Sequence, residues 1–199
     1  SEYLKLRNRI LASGSHSGEL MQLANLIRTT TGFPLTTAKS LHLLVDGKQT
    51  YTAILDAIAN ATHHIHLEYY IFDPDEIGTT LRNLLISKAE NGVKVRLLVD
   101  GIGSSRLKAG FLSPMLQAGV QFAFFHKPHI SQLMKPLVNL RTHRKIVICD
   151  GLVGFTGGLN ITDDEDERIH DTAYQRVIHT DDRQVDLFFF CKCCQFIEL

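Results

Sequence analysis

The sequence predicts an α/β domain, because strand-like and helix-like segments alternate along it. Short runs rich in valine, isoleucine and leucine are typical of buried strands, and the segments between them repeat apolar residues with helical spacing. The pairs Asp46-Gly47 and Asn91-Gly92 mark a turn and a helix end. With 199 residues, of which 44% are hydrophobic, the chain is long enough to bury the core of one domain.

The predicted elements run from residue 41 to residue 156. They are, in order, a strand at 41–45, a helix at 50–61, a strand at 65–72, a helix at 77–90, a strand at 93–99, a helix at 106–118 and strands at 120–125, 145–149 and 151–156. Pro114 is expected to interrupt the third helix, because proline lacks the N–H that a helix interior uses. Residues 127–139 contain two prolines and are predicted to form a loop.

Charge and hydropathy narrow the classes of partner. The 21 basic and 21 acidic residues balance, so no overall positive charge favours nucleic acid, although Lys135, Arg141, Arg144 and Lys145 form a local basic cluster. No window reaches the roughly 18 to 20 continuous apolar residues of a membrane span.

We divide the chain into a helical segment at 1–35, the main domain at 36–180 and an atypical C-terminal tail at 181–199.

The segment 143–160 says most about function. His143 and Lys145 stand two positions apart at the start of a buried strand, so their side chains are predicted to point the same way. Asp150 falls at the other end of that strand, on the opposite face, and is expected to brace it. Beyond the next short strand come Gly158, which lets the backbone approach a phosphate, and Asn160.

These residue types suit displacement at a phosphodiester. An imidazole such as that of His143 is a competent nucleophile toward phosphorus. Lys145 supplies positive charge for the non-bridging oxygens, and the amide of Asn160 can donate to them. Fixed charges of this kind do the work that a metal ion does elsewhere, so neither a metal nor another cofactor is expected.

Other candidate residues admit simpler explanations. Glu68 is predicted to face the substrate pocket, but a partly buried glutamate paired with a neighbouring arginine is an equal alternative. His63, His64 and His66 lack a spaced acidic or thiol partner, so no metal site is predicted there. The turn at 101–104 lacks the pattern of a phosphate-binding loop and is interpreted as a plain turn.

The spacing His-x-Lys-x4-Asp-x6-Gly-Gly-x-Asn resembles the HKD motif of the phospholipase D superfamily. The surrounding sequence at 67–72, 92–104, 141–145 and 153–158 is similar to that of bacterial cardiolipin synthases. The resemblance implies a phospholipase D-like domain, with a mixed sheet flanked by helices, that carries the first of two catalytic halves.

The resemblance also implies roles for single residues. His143 would attack phosphorus and form a phosphohistidine, Lys145 and Asn160 would hold the phosphate oxygens, and Asp150 would be the structural acid of the motif. A further carboxylate usually orients the nucleophilic histidine from about thirty residues downstream, and Asp171 occupies a matching place. The alternative is that Asp171 belongs with the solvated acidic run at 163–167.

One departure concerns the number of motifs. Long chains of the superfamily carry two, whose histidines serve as nucleophile and as leaving-group acid, whereas this sequence has a single His-x-Lys-x4-Asp. We therefore expect the second histidine to come from another half in trans or from a homodimer.

The resemblance implies transfer of a phosphatidyl group between two phosphatidylglycerol molecules, with release of glycerol. It implies a phospholipid substrate and a location at the bacterial inner membrane, on its cytoplasmic face or membrane-associated, with 1–35 close to the membrane surface; nucleic acid is not expected. Two alternatives stay open. One is a homodimeric single-motif phosphodiesterase that cuts nucleic acid, and the other is a non-catalytic truncated fragment, since the residues from Phe188 onward do not resemble the family's continuation.

Overall fold

A computed structural model describes residues 17–32, 38–126, 141–166 and 185–191. The loop predicted at 127–139 lies outside these ranges. Within them the helices and strands, in chain order, are α1 (Ser17–Thr31), β1 (Ala38–Val45), α2 (Asp46–Asn60), β2 (His64–Tyr69), α3 (Glu76–Glu90), β3 (Lys94–Asp100), α4 (Ala109–Gln117), β4 (Gln121–Phe125), β5 (Ile146–Cys149), β6 (Val153–Thr156) and β7 (Val185–Cys191).

The strands of the described residues form one mixed sheet in the order β1-β7-β6-β5-β2-β3-β4. Strands β2, β3 and β4 are parallel and are connected through α3 and α4, as parallel neighbours require. Strand β5 is antiparallel to β2, and the remaining pairs are antiparallel as well. The predicted α/β class with a mixed sheet and helices is confirmed.

The core lies between one face of this sheet and helices α2 and α3. Alternate residues of β2, such as Ile65 and Leu67, point into it, and α2 contributes Ile54 and Ile58 from successive turns. The other residues of β2 alternate with Ile65 and Leu67, face the opposite side of the sheet and are half-buried, as His66 is. One strand therefore serves both the core and a more polar surface.

Helix α3 begins and ends where its local chemistry predicts. The side chain of Asp75 accepts a hydrogen bond from the backbone N–H of Gly78 at 3.0 Å and so satisfies a donor of the first turn. At the other end Gly92 adopts φ 85°, a conformation that glycine reaches without steric cost, and the helix stops at Glu90.

Pro114 lies inside α4 without interrupting it, so that prediction is wrong. The backbone N–H of Ala118 still donates to the carbonyl of Pro114 at 3.1 Å. The carbonyl that loses a partner to the proline belongs to Gly110, an exposed residue of the first turn, where water can replace the missing donor.

Strand β7 pairs with β1 and β6 inside the sheet, although its residues fall in the segment that the sequence analysis set apart as a tail. None of the helices in the described part of the chain is long and apolar enough to cross a membrane.

Candidate active site

Of the motif residues, His143, Lys145 and the segment 157–160 lie at one edge of the sheet. Strands β2 and β3 are parallel and end at this edge, and β5 is antiparallel to β2, with Ile146 opposite Glu68. Residues 143–145 precede β5 and therefore lie at the same edge. Strand β6 ends there too, because Thr156 pairs with Ile146, so residues 157–160 follow at the edge. The carboxyl ends of parallel strands are where open α/β sheets bind ligands.

His143 and Lys145 meet at this edge. The Nζ atom of Lys145 lies 3.1 Å from Nδ1 and 3.3 Å from Nε2 of His143. It also donates to the backbone carbonyl of His143 at 3.1 Å. The lysine is only 4% exposed, which is uncommon for an ammonium group. The structure thus brings the two side chains together, although β5 itself begins one residue later than predicted.

Tyr70 forms one wall of this pair. Its ring centroid is 4.7 Å from that of His143, and the Nζ atom of Lys145 lies 5.3 Å from the centroid. Its hydroxyl accepts a hydrogen bond from the guanidinium of Arg141 at 3.1 Å. Tyr70 was not among the predicted site residues.

Glu68 supports the segment that leads into the motif. Its Oε1 accepts a hydrogen bond from the Thr142 hydroxyl at 2.5 Å and lies 3.8 Å from the guanidinium of Arg144. The arginine pair was one of the two roles considered for Glu68. The same side chain lines a groove of about 190 Å³ on the half-buried face of the sheet, together with His66 and Arg96.

Asp100 connects two loops of the site. It is 1% exposed, and its Oδ1 accepts the backbone N–H groups of Ile102 and Gly103, each at 2.9 Å. Its Oδ2 accepts the backbone N–H of Thr142 at 3.2 Å. The turn at 101–104, interpreted as a plain turn, is thereby joined to the residue before His143.

Asn160 is 6% exposed and held on three sides. Its Oδ1 accepts the backbone N–H of Ile71 at 3.1 Å, its Nδ2 donates to Glu165 at 2.8 Å, and its backbone N–H donates to Glu165 at 2.6 Å. Nδ2 carries two hydrogens, and the bond to Glu165 uses one of them. Gly158 lies two residues earlier, in an exposed bend.

Asp150 lies at the opposite end of β5 from Lys145. Its carboxylate accepts the backbone N–H groups of Thr62, His63 and His64 at 2.8 to 2.9 Å, and also the Thr62 hydroxyl at 3.1 Å. Burial disfavours the charged form, but these donors outweigh it and lower the pKa of the carboxyl. Asp150 thus ties the end of β5 to the start of β2, away from the edge that carries His143.

Asp171, the predicted orienting carboxylate, lies outside the described residues. Within the described ranges, no group of three or more histidine, cysteine, aspartate or glutamate side chains is arranged to hold a metal ion. His64 and His66 pack against each other, with ring centroids 5.1 Å apart. Burial, followed by the proximity of His64 and Arg96, lowers the pKa of His66 from 6.5 to about 4.

Comparison with known proteins identifies the family of this chain. Residues 54–180 match the family described as "Cardiolipin synthase, PLD-like domain". The chain belongs to this family. The resemblance noted from the motif is confirmed by this match.

Curated cardiolipin synthases agree with the assignment. The chain is 47% identical over 144 residues to cardiolipin synthase 1 of Bacillus anthracis. The aligned region is 72% of this chain and 28% of that protein. It is 42% identical over 151 residues to the cardiolipin synthase of Alkalihalophilus pseudofirmus, covering 76% of this chain and 29% of the relative. The chain therefore matches less than a third of the length of these relatives.

Solved structures show the same fold at low sequence identity. Nuc from Salmonella typhimurium, a phospholipase D family member, superposes with a TM-score of 0.54 at 18% identity, over 76% of this chain and 83% of that one. Phosphatidylserine synthase from Haemophilus influenzae has a TM-score of 0.53 at 17% identity, over 78% of this chain and 34% of that one. The cardiolipin synthase PLD-like domain of this chain thus has the phospholipase D fold.

Four residues at the site of this cardiolipin synthase PLD-like domain were missed by sequence reasoning: Tyr70, Asp100, Thr142 and Glu165. Asp100 directly follows the strand predicted at 93–99, and Tyr70 lies near the end of the strand predicted at 65–72. Both strands run toward the motif edge, which is a usable signal. The contacts of Thr142 and Glu165 depend on how loops fold back, and periodicity carries no information about that.

Proposed function

We propose that this chain is one half of a phosphatidyltransferase that acts on phosphatidylglycerol through a phosphohistidine intermediate. The observation that carries the proposal is the contact of the Lys145 ammonium with both ring nitrogens of His143, at 3.1 and 3.3 Å, in a domain of the cardiolipin synthase family. A nucleophile and a fixed positive charge so close together fit one phosphate group.

In the proposed first step, a ring nitrogen of His143 attacks phosphorus. The N–P bond forms, the bond from phosphorus to the glycerol oxygen breaks, and glycerol leaves after its oxygen gains a proton from a second histidine. A phosphodiester oxygen is a stronger acceptor than an imidazole or a carbonyl, so the ammonium of Lys145 turns to it. That turn releases His143 for attack and neutralises the charge that develops on the phosphate.

In the proposed second step, the hydroxyl of another phosphatidylglycerol attacks the phosphohistidine. The second histidine takes the proton of that hydroxyl, the N–P bond breaks, and the product carries two phosphatidyl groups on one glycerol. Asn160 would donate its remaining amide hydrogen to a phosphate oxygen, with the backbone at Gly158 beside it. Asp171 is proposed to orient His143, and no metal or other cofactor takes part.

We also propose that the substrate reaches the site from a membrane surface, at the cytoplasmic face of a bacterial inner membrane. The bacterial cardiolipin synthases that match this chain support this location. The second histidine would come from a second catalytic half in trans or from another copy of this chain.

The test is covalent labelling. The chain is incubated with vesicles that carry an acyl-labelled phosphatidyl p-nitrophenol, whose leaving group needs no proton, so that one catalytic half is sufficient. The reaction is quenched in alkaline detergent and examined for label bound to protein. We expect an acid-labile adduct that is lost in His143→Ala and kept in His63→Ala, whose histidine is exposed at the far edge of the sheet. An adduct that survives His143→Ala would overturn the assignment of His143 as the nucleophile. Labelling by a p-nitrophenyl ester of a nucleotide but not by the lipid would favour the nuclease alternative, and no adduct with either would favour a non-catalytic fragment.

A further inference from the structure

We propose that Tyr70 is a positioning residue for the catalytic pair, and that Gly103 is the surface on which its ring rests. The inference rests on the proposed function, because it assigns to Tyr70 the task of holding His143 and Lys145 where they act on phosphorus. Five residues contact the tyrosine, and between them they fix its ring, its backbone carbonyl and its hydroxyl.

The first contacts are those with the catalytic pair. A centroid separation of 4.7 Å and an interplanar angle of 44° between Tyr70 and His143 fall in the range of favourable aromatic pairs. The Lys145 ammonium at 5.3 Å from the Tyr70 centroid is within the roughly 6 Å over which a ring attracts a cation. One ring therefore limits the positions of both the nucleophile and the charge.

The second contacts fix Tyr70 itself. A Cβ atom at Gly103 would overlap the carbonyl oxygen of Tyr70 and lie 2.9 Å from Cε2 of its ring, so residue 103 has room only for hydrogen. The hydroxyl of Ser104, which is fully buried, donates to the same carbonyl at 3.0 Å. Because Asp100 in turn binds the N–H of Gly103, the turn at 101–104 is a rigid support.

The third contact involves the hydroxyl of Tyr70, which accepts a hydrogen bond from Arg141. Arg141 is an exposed residue two positions before His143, so this bond adds a contact to the segment that enters the motif but does not touch the catalytic pair. The hydroxyl and the ring thus have separate tasks, and different variants separate them. Misplacement of a reacting group by about 1 Å costs on the order of 10²-fold in rate, which is why a positioning contact matters.

The experiment uses bis(p-nitrophenyl) phosphate with the chain in excess. The His143 nitrogen bonds to phosphorus, and p-nitrophenolate leaves with the electron pair of the broken P–O bond. This leaving group needs no proton, so the first step requires only one catalytic half. Release of the coloured anion gives the rate at saturation and the half-saturating concentration. The variants are Tyr70→Leu, Tyr70→Phe and Gly103→Ala, with Gly110→Ala as control, since nothing lies within 4 Å of a Cβ at Gly110.

We expect Tyr70→Leu and Gly103→Ala to lower the saturated rate by about tenfold or more while the half-saturating concentration changes little. Tyr70→Phe keeps the ring and should retain most of the rate, and Gly110→Ala should match the parent chain. Saturated rates of Tyr70→Leu and Gly103→Ala equal to that of the parent would overturn the proposal.

A second readout does not depend on turnover. The ring current of a tyrosine shifts the NMR signals of nearby protons. We therefore expect the imidazole protons of His143 to be shifted in the parent chain and in Tyr70→Phe, and to lose this shift in Tyr70→Leu. Signals of His143 that are identical in the parent chain and Tyr70→Leu would refute the positioning role, whatever the activity.

If the parent chain releases no p-nitrophenolate, the proposed function fails, and the NMR comparison still decides on Tyr70. Should Tyr70→Leu not fold, as judged by circular dichroism, Gly103→Ala and Tyr70→Phe give the decision.

Discussion

The buried carboxylate of Asp100 accepts the backbone N–H of Thr142 at 3.2 Å, across 42 positions of the chain. Through its other oxygen the same carboxylate holds the turn at 101–104. One side chain therefore sets the distance between the support of Tyr70 and the segment that carries His143.

Asp100→Asn keeps the size and shape of the side chain but removes one of its two acceptor oxygens. An amide offers only one acceptor oxygen, so its NH₂ group faces a backbone donor on one side and leaves that donor buried without a partner. We expect the free energy of unfolding to fall by about 2 kcal/mol in urea titrations. We also expect a slower release of p-nitrophenolate, by about tenfold. Asp56→Asn, on the exposed side of α2, is the matched control. Unchanged stability and rate in Asp100→Asn would show that the two loops do not depend on this carboxylate.

Lys145→Met should separate charge from packing. Methionine keeps an unbranched apolar chain of similar length in this 4% exposed site but removes the ammonium. The rate of p-nitrophenolate release should fall on the order of 10²-fold, as expected when one fixed donor to the transition state is lost. Lys88→Met, which removes a lysine that donates to the Ala61 carbonyl at 2.9 Å in another part of the fold, should leave the rate unaffected. A rate in Lys145→Met close to that of the parent chain would rule out a charge-stabilising role.

Asp150→Asn tests the strand brace. Asp150 has φ 56°, a conformation that asparagine also tolerates, so the substitution removes the negative charge with little backbone strain. We expect a loss of about 2 kcal/mol in the free energy of unfolding at neutral pH. Because the folded pKa of Asp150 is depressed, its contribution is present above the unfolded value of about 3.9 and is lost as the pH falls through the folded value. The difference between parent and variant should therefore shrink in acid, and a difference that stays constant would contradict this account.

The lowered pKa of His66 predicts a second pH dependence of the free energy of unfolding. Its pKa is lowered from 6.5 to about 4, so between these values the unfolded chain binds a proton that the folded chain does not. The stability that neutral His66 permits is present above about 6.5 and declines as the pH falls toward about 4. His66→Gln should flatten this part of the stability profile in urea titrations, whereas the exposed His63→Gln should not. A titration midpoint of His66 near its ordinary value in NMR would invalidate the prediction.

The fold was largely predictable because local patterns and the final structure agree. The helix predicted at 77–90 is observed at Glu76–Glu90, and the strand predicted at 93–99 is observed at Lys94–Asp100. Pro114 was misjudged because the cost of a proline depends on the carbonyl that it deprives of a partner, and that carbonyl is exposed here. The order of the strands was not predicted from the sequence, since pairing depends on contacts between distant segments.

At the site, the motif spacing predicted roles for His143, Lys145 and Asn160, and the strand period predicted that the first two would face the same way. The structure brings the side chains of His143 and Lys145 together. The network around them was not predictable. The bonds of Glu68 to Thr142 and of Asp100 to the same residue depend on how two loops pack at the sheet edge. No periodic signal in the sequence reports that packing.

The last prediction concerns the second histidine. A leaving alkoxide needs a proton donor on the face opposite the nucleophile, and in-line geometry prevents His143 from serving in both roles within one step. In the described residues His126 also lies at the motif edge, after β4. Strand β4 is three positions from β5 in the sheet, which at about 4.8 Å per strand is roughly 14 Å. That distance is too long for direct protonation of the leaving oxygen.

We therefore predict that the chain releases p-nitrophenolate from an activated diester but does not turn over phosphatidylglycerol as a monomer. Turnover requires a second catalytic half in trans or a symmetric dimer that brings two copies of His143 together. Analytical sedimentation run beside the lipid assay makes the distinction, and His126→Ala serves as the control for a donor within the chain. Repeated turnover of phosphatidylglycerol by a strictly monomeric chain would show that a second half is unnecessary, because the alkoxide would then be protonated within a single domain.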